Sequence, residues 1–128
     1  GGNQDIFFLT TMDKASTFIR KMFDLSDEQK YGSENIGIYL QPVMQGCNCH
    51  LEFNLKYDPE NHGEADSVRL LVENGSEALA EMGGFFSRPY GAWNRFAYDK
   101  EGQQALGLRK IKEIFDANRI LNPGKLCY

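Results

Sequence analysis

The sequence predicts an α+β fold with elements in the order β-α-β-β-α-β. This is a ferredoxin-like antiparallel sheet with both helices on one face, extended by a C-terminal helix and tail. Three observations predict it. Residues 47–57 alternate cleanly, with Cys47, Cys49, Leu51, Phe53, Leu55 and Tyr57 on one side and Asn48, His50, Glu52, Asn54 and Lys56 on the other. Residues 36–44 precede them across a short Gly-containing turn and fall into a matching register. Two further segments, one on each side of this pair, repeat apolar residues at helical spacing.

The elements follow in order. Ile6-Phe7-Phe8-Leu9-Thr10-Thr11 is short, apolar and aromatic, and reads as a buried strand. Asp13 is placed to cap the helix that follows. Ala15, Phe18, Ile19, Met22 and Phe23 then mark one apolar helix face. Residues 24–35 turn polar and read as a loop with room for a helical turn.

The hairpin comes next, with Gln45-Gly46 as its loop. That loop places Leu40 opposite Leu51 and Ile38 opposite Phe53 on the apolar side. On the polar side it places Gln41 opposite His50 and Tyr39 opposite Glu52. Pro42 has no N–H, so a bulge or an outward-facing nitrogen is expected there. The helices should cover the face to which Ile38, Leu40, Leu51 and Phe53 point.

Asp58-Pro59-Glu60-Asn61 ends the second hairpin strand. A helix from about Glu64 to Met82 follows, with Val68, Leu71, Val72, Ala78, Leu79 and Met82 as its stripe. Gly75 in its middle implies close packing or a bend. Gly83-Gly84 ends it, and Phe85-Phe86-Ser87 suffices for a fourth strand. Residues 88–98 are irregular and aromatic, with Trp93 expected as a packing anchor. A third helix spans about Gln103 to Asp116, with Leu108, Ile111, Ile114 and Phe115 inward and Lys110 and Lys112 solvated. Pro123-Gly124 turns the tail.

Composition bounds the function. The 128 residues fit one domain with a real core. Net charge is −4 at pH 7 and no basic run occurs, so no nucleic-acid partner is expected. No apolar stretch approaches the roughly 20 residues that span a bilayer. Three cysteines without framework spacing suit a reducing compartment, so a cytoplasmic location is expected. The chain opens almost at once on a strand, as a domain excised from a longer protein would.

The polar sheet face carries the candidate chemistry. His50 and Glu52 lie two apart on one strand and share a face, and a histidine can act as acid or base near neutral pH. Tyr39, Gln41 and Asn54 join them as candidate binding groups for a small polar molecule. A merely solvated antiparallel face explains the same alternation, and the pattern leaves both readings open. Cys47, Cys49 and His50 do not read as a metal cluster, because a regular strand points both thiols away from the imidazole. Adding His62 and Cys127 gives no zinc-like spacing. Buried reduced cysteines are expected instead. Arg88, Tyr90 and Arg95 could hold a carboxylate or phenolate, or form surface ion pairs. No glycine-rich phosphate loop precedes a helix.

The C-terminal run Lys112-Glu113-Ile114-Phe115-Asp116-Ala117-Asn118-Arg119-Ile120-Leu121-Asn122-Pro123-Gly124-Lys125 closely resembles the ending of FAD-linked oxidases of the vanillyl-alcohol oxidase superfamily. Those chains typically finish Phe-Asp-Pro-x-x-Ile-Leu-Asn-Pro-Gly-Lys, and Ala117 replaces the usual Pro. The upstream element order is similar to that family's cap domain, so the resemblance spans most of the chain. It implies that residues 1–128 are the C-terminal part of the substrate-binding cap, with the FAD-binding domain absent from this chain. It further implies FAD as cofactor, the FAD-binding domain of the same polypeptide as partner, and a small hydroxylated substrate. The open polar sheet face would then roof the active site, and Asn122 and Lys125 would lie where the tail returns to the FAD domain, near the cofactor. The isolated chain should be inactive.

Two branches of that family differ from this sequence in different ways. The 2-hydroxy-acid dehydrogenase branch carries His-x-Gly-Asp-Gly-Asn-x-His on this strand, where this chain reads Val43-Met44-Gln45-Gly46-Cys47-Asn48-Cys49-His50. Its Ser-Gly-Glu-His-Gly corresponds to Ser87-Arg88-Pro89-Tyr90-Gly91. Of the residues that bind a divalent metal in that branch only His50 is kept, so no catalytic metal is expected. Arg88 and Tyr90 are loosely similar to the phenolate-stabilising Arg and Tyr of the phenol-oxidising branch. The expected chemistry is hydride transfer from a 2-hydroxy acid or a phenolic or aryl alcohol to flavin. His50 would be base or hydrogen-bond partner, Glu52 and Asn54 would orient the substrate, and Arg88 and Tyr90 would hold an anionic group. The rival expectation is a stand-alone ferredoxin-like module that binds a ligand or forms a homodimer through its open face, without catalysis.

Overall fold

A computed structural model describes residues 1–44, 46–88, 90–98 and 103–121. The chain divides into two compact units, residues 1–85 and 86–128.

The first unit holds a three-stranded antiparallel sheet and two helices. The elements are β1 (Gly2–Thr11), α1 (Ala15–Glu28), β2 (Ile36–Met44), β3 (Asn48–Tyr57) and α2 (His62–Glu81). The sheet order is β1-β3-β2, so β3 is central. Leu40 pairs with Leu51, Ile38 with Phe53, Gln41 with His50 and Tyr39 with Glu52, as the hairpin loop predicts. The register slips between Pro42 and Met44, at the proline that has no N–H to donate. Met44 pairs with Asn48, Gly46 and Cys47 lie in a turn, and Gln45 of the expected loop lies outside the described residues.

Burial follows the alternation on β1 and β3. Ile6 and Phe8 of β1 and Cys49, Leu51, Phe53 and Leu55 of β3 are fully buried. Phe18 and Met22 of α1 and Val68, Leu71 and Leu79 of α2 are buried with them. The Phe8 ring lies 4.9 Å from that of Phe18. Gly75 serves close packing: a Cβ there would lie 3.1 Å from Ile6 Cδ1 and 3.4 Å from Met22 Sδ. Each fully buried apolar side chain contributes about 1.5–3 kcal/mol.

Several expectations change. Asp13 does not cap α1: the N-cap is Lys14, without a side-chain hydrogen bond, and the helix continues past Phe23 to Glu28. Ile38 and Leu40 share the apolar face but are 41% and 36% exposed, because β2 is an edge strand and α2 lies over β1 and β3. Cys47 sits in the turn and is exposed, while Cys49 is buried as expected. The fourth strand shrinks to one antiparallel bridge, in which Leu9 and Phe85 exchange both backbone hydrogen bonds at 2.8 and 2.9 Å. The bridge still puts residue 85 beside β1, where a ferredoxin-like order requires its last strand.

Both ends of α2 are built locally. Asn61 accepts hydrogen bonds from the backbone of Gly63 and Glu64, satisfying two donors the helix cannot use itself. At the far end Gly83 adopts φ +94°, and Gly84 N–H donates to Leu79 O at 2.9 Å.

The second unit, taken by itself, contains α3 (Asn94–Tyr98) and α4 (Gln103–Phe115). Phe86 is buried and packs against Trp93 and Phe96, with ring centroids 5.2 Å apart in each case. Leu108, Ile111, Ile114 and Phe115 of α4 do not face inward. All are exposed, Ile114 and Phe115 by 76% and 79%. Lys112, expected in solvent, instead has a mostly covered ammonium bound to Asp116. The Asp116 carboxylate also accepts from the backbone of Ile120 and Leu121, each at 2.9 Å. These bonds to Lys112, Leu121 and Ile120 hold its pKa below the usual carboxylate value.

Candidate functional site

The open face of the sheet is set by the same alternation that builds the core. β3 turns His50, Glu52 and Asn54 away from the helices, and pairing brings up a row on each side. Leu9 and Gln41 flank His50, Phe7 and Tyr39 flank Glu52, and Asp5 and Gly37 flank Asn54. The structure thus unites Tyr39, Gln41, His50, Glu52 and Asn54, the five sheet residues expected from the sequence.

His50 is held on three sides. Its ring stacks on Phe7 with centroids 5.7 Å apart and planes 24° from parallel. Tyr39 meets it edge-on at 6.1 Å. Its Nε2 lies 3.0 Å from Glu52 Oε2, and the two side chains are 20% and 25% exposed. Asn54 Nδ2 donates to Glu52 Oε1 at 2.7 Å and to Asp5 Oδ1 at 2.9 Å. The Asn3 side-chain amide also donates a hydrogen bond to Asp5 Oδ1. A shallow cavity of about 720 Å³ opens at the Asn54 end of this face, where Gly2, Asn3, Asp5, Asn35, Glu52 and Asn54 line it and His50, Tyr39 and Gln41 do not. This arrangement can offer an oriented imidazole, a carboxylate and amides to a small polar molecule.

Asp5 lies outside the apolar run 6–11 that predicts the first strand, and so outside the expected site. The signal was present: Asn3, Asp5 and Phe7 alternate with Gln4, Ile6 and Phe8, and the strand begins at Gly2.

Arg88 and Tyr90 belong to the second unit, where both are exposed. Tyr90 N–H donates to Arg88 O at 2.8 Å in a tight turn. Asn122 and Lys125, the candidate cofactor contacts, lie outside the described residues.

Among the described residues, no three or more His, Cys, Asp or Glu side chains gather as they would around a metal ion. The Cys49 thiol is buried in the core, and burial pushes its pKa up, away from the thiolate that a metal or a nucleophilic reaction needs. No helix among these residues is long and apolar enough to cross a membrane.

Phe7, Tyr39 and His50 present aromatic groups on one surface. At the start of α2 the backbone N–H groups of Gly63 and Glu64 are already taken by Asn61.

No curated protein sequence matches this chain. A solved structure, 4-ethylphenol oxidase from Gulosibacter chungangensis in an isoeugenol complex, is similar over 97% of the chain with a TM-score of 0.71 and 18% identity. That likeness shows the fold, and the chain spans only 24% of that oxidase's length. The family model "FAD linked oxidases, C-terminal domain" matches residues 10–126. With nearly the whole chain covered, it belongs to the C-terminal domain family of the FAD-linked oxidases.

Proposed function

We propose that this domain caps the active site of an FAD-dependent oxidoreductase and presents His50 to a hydroxylated substrate. The observation that carries this reading is the clamped imidazole, stacked on Phe7, edged by Tyr39 and bound through Nε2 to Glu52. A solvated sheet face has no need to immobilise a histidine between two aromatic rings and a carboxylate. Immobilising it lowers the ordering cost of using it as a base.

His50 accepts or shares the hydroxyl proton of the substrate, and Glu52 stabilises the imidazolium that results. Tyr39 and Gln41, exposed on β2, contact the substrate from the side. Arg88 and Tyr90 are candidates for holding an anionic group. FAD, when bound by the FAD-binding domain of the same polypeptide, supplies the hydride acceptor. Asn122 and Lys125 are proposed to lie near it.

Of the two substrate classes, the phenolic or aryl alcohols are favoured. The structurally similar oxidase is named for a phenol and holds isoeugenol, another phenol. Val43 and Tyr90 also stand where the hydroxy-acid branch places histidines. Family membership likewise favours the cap over a stand-alone binding module.

The test is the absorbance spectrum of the full-length polypeptide purified without added cofactor. A flavin spectrum bleached by a phenolic alcohol, and unchanged by 2-hydroxy acids, is the expected result. A colourless protein that takes up no FAD on reconstitution would overturn the proposal.

A further inference from the structure

We infer that Asp5, acting through Asn54 and Glu52, is a positioning residue for His50, and that His50 therefore meets its substrate through Nδ1. The second half rests on the base role proposed above; the first half stands on the hydrogen-bond inventory of the sheet face.

A carboxylate accepts hydrogen bonds and donates none. Glu52 uses both oxygens: Oε1 takes an amide proton from Asn54 at 2.7 Å, and Oε2 faces His50 Nε2 at 3.0 Å. Nε2 must then carry the proton. A neutral imidazole has only one, so Nδ1 is left as the basic nitrogen. Stacking on Phe7 and the edge contact of Tyr39 oppose a ring flip that would exchange the two.

Asn54 is fixed in turn by having carboxylates on two sides. Its amide nitrogen donates to Glu52 and to Asp5, and turning the amide over would set Oδ1 against two acceptors. Remove Asp5 and half of that constraint disappears. Asp5 is Asn54's direct cross-strand partner on β1. On the opposite side lies Gly37, where a Cβ would come within 3.3 Å of both Asn54 Cβ and Oδ1. Glycine at that position leaves the amide its space. The order Asp5, Asn54, Glu52, His50 therefore runs as one chain from β1 onto β3.

The test is nitrogen-15 NMR of the histidine side chains in the full-length polypeptide, at a pH where His50 is neutral. A single Nε2–H tautomer is expected for His50. Without the Asn54 bond that holds Oε1, Glu52 is free to swing Oε2 off Nε2, so Asn54→Ala and Asp5→Ala should each let both tautomers appear and lower kcat about tenfold. Asp5→Asn, which can still turn an oxygen toward Asn54, should restore the single tautomer. An Nδ1–H tautomer in the parent protein, or a tautomer that neither alanine variant alters, overturns the inference. The tautomer is read without flavin or substrate. A single Nε2–H form lost in the variants of a protein that turns over no hydroxylated substrate therefore upholds the positioning and overturns the base role.

Discussion

The two faces of β3 are held by different forces. On the helix side, Cys49, Leu51, Phe53 and Leu55 are fully buried and owe their order to area removed from water. On the open side, His50, Glu52 and Asn54 stay partly exposed and owe theirs to directed hydrogen bonds. Burial is non-directional and tolerates substitution by shape. A hydrogen-bond chain fixes which nitrogen points where, and it gains little stability, since each such bond contributes about 0.5–1.5 kcal/mol net. The helix side therefore answers for the fold, and the open side is where the proposed chemistry would lie.

That division breaks if neighbouring residues on β3 behave alike. Phe53→Ala should cost about 3–5 kcal/mol in denaturant unfolding, because it opens a cavity against the Phe8 ring 6.3 Å away. His50→Ala, three residues earlier, should change stability by at most about 1 kcal/mol yet lower kcat by about a hundredfold or more. A His50→Ala protein that unfolds like Phe53→Ala would show that the polar row supports the sheet rather than a reaction.

A smaller effect sharpens how the core is closed. A Cβ at Gly84 would lie 2.8 Å from Leu79 O and 2.9 Å from Phe8 Cδ2, so backbone or ring must shift. Gly84→Ala should destabilise by about 1–3 kcal/mol. Asn61→Ala, which frees the N–H groups of Gly63 and Glu64 at the start of α2, should cost about 1 kcal/mol. Thermal melts of the two variants, compared with the parent, check both. Neither should alter the His50 tautomer.

The same contrast explains what could be read from the sequence. Periodicity tells which residues share a face, and a tight turn sets the register, so the β2–β3 pairing and the row Tyr39, Gln41, His50, Glu52, Asn54 were legible. Periodicity cannot tell whether a face is covered. Ile38 and Leu40 on the edge strand, and Ile111 and Ile114 on α4, have the right spacing and are exposed. Hydrogen-bond partners were equally hidden. Nothing in the spacing of Asp5 and Asn54 announces a bond across 49 positions, and nothing local prefers Lys14 to Asp13 as the N-cap. The fourth strand failed for a related reason: Phe85 pairs with Leu9, but the next ring, Phe86, joins the aromatic cluster with Trp93 and Phe96.

The smallest expected effect lies in the second unit, where one carboxylate binds the backbone of Ile120 and Leu121. Asp116 joins Lys112 to the backbone of Ile120 and Leu121, and those bonds lower its pKa in the folded state. A folded pKa below the unfolded one means a contribution that is complete above the unfolded value, about 3.9, and lost as pH falls through the folded value. Amide exchange at Ile120 and Leu121 should therefore be protected at neutral pH and accelerate only well into acid. In Asp116→Ala it should be fast at every pH, while the amides of β3 stay protected. Protection at Ile120 and Leu121 that survives both acid and the substitution would show that the helical segment before them, rather than the carboxylate, sets their order.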